Sequence, residues 1–157
     1  MTAGGTGIPD RKSILDLCKR TLGARKTEYA GELANLDQAA AAETKSSAGD
    51  KYETAREMIA QARNLIGHNL AETDAHLDAV ERMAAAPLRD KVHFGSLVET
   101  SLGWFLVGAA LGELDIQGIT VRAISLASPM GTVLKGRGAG ESIPWRGASL
   151  DILRILR

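Results

Sequence analysis

Apolar residues recur at heptad spacing through the first half of the chain. Leu15, Leu22, Tyr29 and Leu36 form one series, with Cys18, Leu33 and Ala40 between them. After an interruption, Ile59, Ile66, Thr73 and Val80 form a second series, supported by Ala62, Leu70 and Leu77. Two stripes of similar length predict an antiparallel coiled-coil hairpin over residues 10–86, each helix burying the apolar seam of the other. The seam is imperfect: Arg25, Asn69 and Thr73 fall near it, and Gly23, Gly31 and Gly67 weaken the helices. The interruption, at about 45–50, is Ser46-Ser47-Ala48-Gly49-Asp50. Gly49 is suited to end the first helix in a left-handed conformation, and Asp50 to cap the second, with Glu53 completing a capping box. At 1.5 Å per residue, a helix of roughly 35 residues reaches about 50 Å, so the tip would stand well away from its base.

Near Pro87 the pattern changes to short alternating runs broken by glycine. Strands are predicted at Leu97-Val98, Trp104–Val107, Ile119–Val121 with Ala123-Ile124, around Ile143–Trp145, and at Leu150, Ile152 and Ile155. Gly103, Gly112, Gly118 and Gly147 punctuate them as turns. Between Ser128 and Lys135 a short helix is expected, with Ser128 as cap, Pro129 at the first helical position, and Met130, Val133 and Leu134 facing inward. The predicted fold is therefore α+β. A loose leader (1–9) precedes the helical hairpin, and residues 87–157 form a small antiparallel sheet domain with one short helix.

Composition narrows the possible partners. The 157 residues carry 19 acidic and 19 basic side chains, so no overall charge selects nucleic acid or an anionic membrane. Aromatics at 4% argue against a base-stacking module. Cys18 is the single cysteine, which excludes an internal disulfide and any multi-cysteine zinc site. The leader lacks the basic start and apolar core of a signal peptide, and Leu102–Leu111 is too short to cross a bilayer. A cytoplasmic protein without a membrane partner is expected. Charge is unevenly placed: Arg11–Lys26 holds six basic residues and one acid, whereas Thr27–Glu57 holds seven acids and three bases. The hairpin would be basic near its base and acidic toward its tip, either as a dipolar rod suited to a channel or as an ordinary solvated surface.

The sharpest chemical feature is the acid pair at the tip. Asp50 and Glu53, three apart at a helix start, share one face within reach of a common metal or water. Two carboxylates fill only part of an octahedral Mg²⁺ shell, so another protein would have to complete the site. The same spacing also serves an ordinary helix cap, the commoner explanation from residues alone. His68 and His76, with Glu72, Asp74 and Asp78, match no metal motif and read as solvent-facing. Gly136-Arg137-Gly138-Ala139-Gly140 lacks the Lys-Ser or Lys-Thr of a phosphate loop. Cys18 reads as a core residue, and no serine has a nucleophile-elbow context. No self-sufficient active site emerges, and the chain reads as a non-enzyme with no cofactor of its own.

Two segments carry a resemblance. Gly49-Asp50-Lys51-Tyr52-Glu53 is similar to the Gly-Asp-x-x-Glu tip of the bacterial Gre transcript-cleavage (transcription elongation) factors. Ile124-Ser125-Leu126-Ala127-Ser128-Pro129-Met130-Gly131-Thr132-Val133-Leu134-Lys135-Gly136, followed by Gly140-Glu141-Ser142-Ile143, resembles their C-terminal signature. The resemblance implies an FKBP-like C-terminal domain docked on the rim of RNA polymerase's secondary channel, with Ser128, Pro129, Met130 and Gly131 as docking residues. It implies that the hairpin enters the channel, where Asp50 and Glu53 help hold the second Mg²⁺ and its water in the polymerase active centre. The polymerase would then hydrolyse the RNA of a backtracked, DNA-bound complex by two-metal chemistry, nascent RNA being an indirect partner. Lys51 and Thr54 stand where the family has a hydrophobic residue and Asn, and Gly140-Glu141 where it has Gly-Asp. Two other readings stay open. One is a channel regulator that binds without promoting cleavage; the other is a hairpin-plus-FKBP-like interaction or chaperone module unrelated to transcription.

Overall fold

The computed structural model describes residues 7–43 and 49–156, with the backbone alone for residues 43 and 49–51. Residues 1–6 of the expected leader and Ser46, Ser47 and Ala48 of the expected tip lie outside the described residues, as do the side chains of Asp50 and Lys51. Two long helices, α1 (Arg11–Glu43) and α2 (Gly49–Ala85), precede six strands and one short helix. These are β1 (Leu97–Thr100), β2 (Gly103–Val107), β3 (Gly112–Ile116), β4 (Ile119–Ile124), α3 (Pro129–Leu134), β5 (Ser142–Trp145) and β6 (Ala148–Leu156). The α+β class and the hairpin-then-sheet order are those predicted. The chain divides into two compact units whose boundaries cross both helices: Arg20–Leu77 is one, and residues 1–19 with 78–157 are the other.

In the hairpin unit, the inward positions of α2 follow the heptad. Tyr52, Ala55, Ile59, Ala62, Asn69 and His76 are half-buried, and Ile66 and Thr73 are buried. On α1, Leu22 is buried and Tyr29, Leu33, Leu36 and Ala40 are half-buried. Lys26 Nζ lies 2.7 Å from Asp74 Oδ1 and Arg63 Nη2 lies 3.1 Å from Asp37 Oδ1. From 26 to 37 and from 63 to 74 are equal steps, so the helices run antiparallel without a slip in register. Both pairs are about half exposed, and each contributes at most about 1 kcal/mol. His76 corrects the sequence reading: it occupies a seam position, while His68 is exposed as expected.

The sheet unit is built on strand order β3-β4-β2-β1-β6-β5. Every pairing is antiparallel except β2 with β4, which is parallel and corrects the expectation of a wholly antiparallel sheet. β3 is a strand the sequence reading missed. It lies at the sheet edge, and β4 returns between it and β2. The hairpins β3–β4 and β5–β6 turn through two residues of positive φ, Gln117-Gly118 (53° and 83°) and Arg146-Gly147 (47° and 80°). That geometry matches the right-handed strand twist, and glycine suits its second position.

One sheet face carries Val98, Phe105, Val107, Ile143, Leu150 and Ile152, which join Met130 and Leu134 of α3 in a single core. The other face carries Leu97, Leu106, Val121 and Ala123, all buried. Within the same unit Ile14, Leu15, Cys18, Val80 and Met83, from the two helices, are also buried. Full burial of a leucine or valine contributes roughly 1.5–3 kcal/mol, so these two layers hold the unit together.

Burial pushes the Cys18 thiol up from its ordinary 9.0 to about 11. Between those values the unfolded chain loses a proton that the folded chain keeps, so stability falls as pH rises through that window. In urea titrations at successive pH values, the midpoint should decline above pH 9. Native Cys18 should label with a disulfide reagent far more slowly than in the unfolded chain, because reaction needs an exposed thiolate.

Candidate functional site

The acid pair is placed by the start of α2. Sequence reading makes Gly49 the terminator of the first helix and Asp50 the cap of the second. Instead, Gly49 already lies in helical backbone as part of α2, and residues 44–48 between the two helices lie outside the described residues. Asp50 is therefore helical too, with Glu53 about one turn on, three residues apart on one helical face. Glu53 is exposed. Among the described residues, no three His, Cys, Asp or Glu side chains gather as a metal site.

The Ser128-Pro129 element forms as its residues dictate. Ser128 has extended backbone geometry, and its Oγ accepts from Gly131 N at 3.0 Å while donating to Ser125 O at 2.7 Å. Pro129, with no N–H to lose, opens the helix. Met130 and Leu134 are buried and Val133 packs against the core, as predicted. Of the four residues proposed to dock, Met130 and Gly131 are buried, Ser128 is half-buried and occupied in capping, and Pro129 is exposed. Ala127 and Thr132 are exposed beside it.

The glycine-rich segment after α3 is tied down rather than open. Val92 N donates to Arg137 O and Gly136 N to Val92 O, each at 2.8 Å, and Lys91 bridges to Gly138. The Glu141 carboxylate accepts from Gly138 N and lies 3.7 Å from Arg137 Nη1, so this acid closes its own loop. Beside it, Asp90, Lys91, Gly138, Ala139 and Ile155 line an open depression of about 400 Å³.

Two polar arrangements escaped sequence reading because their partners are distant or local to a turn. The Arg11 guanidinium, near the start of α1, donates to Gly95 O at 2.9 Å and to Met83 O in the last turn of α2. Its desolvation lowers its pKa, and it stays charged nonetheless. His93 Nε2 lies 2.7 Å from Pro87 O, and Nδ1 lies 2.9 Å from Ser96 Oγ, which itself accepts from His93 N. Nδ1 also lies 3.1 Å from Lys91 O, so His93 holds the turn before β1 together. Its bonds are all spent within that turn.

No protein family, curated protein or solved structure matches the chain.

Proposed function

We propose that the protein is a Gre-like transcription elongation factor that acts in the secondary channel of RNA polymerase and stimulates cleavage of backtracked RNA through its tip acids. The observation that carries this reading is the placement of Asp50 and Glu53 three residues apart in α2, at the end of that helix nearer in sequence to α1. The Ser128-Pro129 element supports it from the second unit, in the form the family resemblance implies.

On this reading the protein is not itself an enzyme. Asp50 and Glu53 supply two carboxylates, and the remaining ligands of a shared Mg²⁺ belong to the polymerase and to water. A second metal ion so held stabilises charge and activates water for attack on phosphorus. Glu53, being exposed, is free to turn toward a partner's site. Pro129, with exposed Ala127 and Thr132 beside it, is the docking contact, while buried Met130 and Gly131 shape the surface from below. An FKBP-like sheet need not bring prolyl isomerase activity, because function lives in the site rather than in the fold.

A photo-crosslinking residue in place of Glu53 tests the placement. Irradiation with the cognate polymerase is expected to join the tip to segments around the catalytic Mg²⁺. Absence of polymerase binding at micromolar concentrations, or cross-links confined to the enzyme's outer surface, would overturn the proposal.

A further inference from the structure

The sheet ends in two edges of different character, β5 and β3. Which backbone groups each edge turns outward follows from the register. β5 and β6 join through the two-residue turn Arg146-Gly147, so Trp145 and Ala148 form a hydrogen-bonded pair, as do Ile143 and Leu150. The continuation agrees, since Gly140 N donates to Ile152 O and Ile152 N to Glu141 O. The outward residues of β5 are therefore Ser142 and Pro144, and Pro144 has no N–H to offer. Proline blunts that edge.

The β3 edge has no such block. Ile116 and Ile119 flank the turn Gln117-Gly118, so bonded pairs fall at Ile116↔Ile119, Leu114↔Val121 and Gly112↔Ala123. Leu111, just before β3, donates to Ala123 O, and Gly108, just after β2, donates to Ile124 O. Successive β4 residues thus face β3 and β2 in turn. That leaves Glu113 and Asp115 as the outward residues of β3, each with an N–H and a C=O. Among the described residues, no hydrogen bond from beyond the edge ends on these backbone groups.

The side chains give this edge a chemical sign. Glu113 and Asp115 are exposed on one face, while Leu114 and Ile116 lie half-buried on the other. Arg122 Nε lies 3.3 Å from Glu113 Oε1, and Gly118 N donates to Asp115 Oδ1 at 3.0 Å, so each acid keeps a second oxygen without a partner among the described residues. Charge opposes pairing of the edge with a second copy. In an antiparallel pair of two β3 strands, Glu113 of one copy falls opposite Asp115 of the other, and like charges directly opposite destabilise.

We propose that the β3 edge docks an extended segment of another protein, added as a further strand, in which basic and apolar residues alternate. Basic side chains then lie opposite Glu113 and Asp115, and apolar ones opposite Leu114 and Ile116. A single register satisfies main chain, charge and apolar face together, as in other strand additions. This inference does not depend on the functional proposal, and its test needs no polymerase.

The probe is an end-blocked seven-residue peptide alternating lysine and valine, titrated into the full-length protein and followed by amide NMR. Signals of residues 112–116 should shift. Exchange of the Glu113 and Asp115 N–H groups should slow about tenfold at roughly nine-tenths saturation, because only the free fraction exchanges. Glu113→Pro removes an outward N–H without touching the β4 ladder and should abolish binding. Glu113→Lys keeps that N–H and should weaken binding by roughly fivefold, an attraction being replaced by a repulsion. No binding at millimolar peptide, shifts confined to other residues, or equal affinity for an alternating glutamate–valine peptide would overturn the proposal. So would undiminished binding by Glu113→Lys, or a dimer of the protein that Glu113→Pro dissociates, which would give the edge to a second copy.

Discussion

Substituting Gly131→Ala is expected to destabilise the protein by about 3 kcal/mol, lowering the thermal midpoint by about 9 °C. Gly131 sits inside α3 with backbone packed against it. A β-carbon there would lie 2.9 Å from Leu126 Cα and 3.0 Å from Leu126 C, and would overlap Ser125 O. None of these atoms can swing away as a side chain tip would. Ser125 O is also held in place by Ser128, through both its hydroxyl at 2.7 Å and its N–H at 3.2 Å. Relief therefore requires α3 to lift, which loosens Met130 and Leu134 from the core they share with Phe105 and Ile152. Gly23→Ala is the matched control. It adds a methyl group in open space and should raise stability by about 0.5–1 kcal/mol through helix propensity. Urea unfolding followed by tryptophan fluorescence measures both. Equal stability of the wild type and the Gly131 variant would mean that α3 is not close-packed on this turn.

Arg11→Ala should cost about 2 kcal/mol, since bonds from a charged donor are worth more than neutral ones and two carbonyls lose their partner together. The side chain links the start of α1, the end of α2 and the turn before β1 within one unit. Met83 O belongs to the last turn of α2, where a cation also complements the helix dipole. Gly95 is fixed there by its φ of 94°, with Arg11 Nη2 3.1 Å from where a β-carbon would sit. Arg11→Lys should recover only part of the loss, because an ammonium lacks the planar fork that reaches two acceptors at once. Denaturant titration of the three proteins checks this order. A lysine variant as stable as wild type would show that charge alone, without the fork, holds the junction.

The heptads made the hairpin legible because a period of seven survives single interruptions such as Arg25. α3 was legible to the residue, since Ser-Pro before an apolar pair uses cap and ring chemistry that few other structures want. β3 was not. Gly112-Glu113-Leu114-Asp115-Ile116 has only two apolar residues, alternating with acids, as suits a half-exposed edge, and its pairing with β4 is what makes it a strand. The parallel pairing of β2 with β4 is a fact of topology, and no local pattern encodes it. Gly49 was misread because glycine is a common helix terminator, yet here it lies in the helical backbone of α2. His76 was misplaced because a histidine on a seam looks, in one sequence, like a histidine on a surface. Arg11 was invisible because its acceptors lie 72 and 84 residues away. At the candidate site, residue types and spacing were readable at both segments. Which docking residues are exposed was not, since Met130 and Gly131 differ from Pro129 only in what lies beneath them.

RNA cleavage in backtracked complexes of the cognate polymerase tests the central claim most directly, with wild type compared with Asp50→Ala/Glu53→Ala at concentrations where both bind. The account predicts that wild type accelerates cleavage and that the double variant loses the acceleration by at least tenfold while still competing for the polymerase. If bound wild type gave no acceleration, or the double variant retained it, the tip acids would have no part in the chemistry. Asp50 and Glu53 would then be ordinary acids of α2.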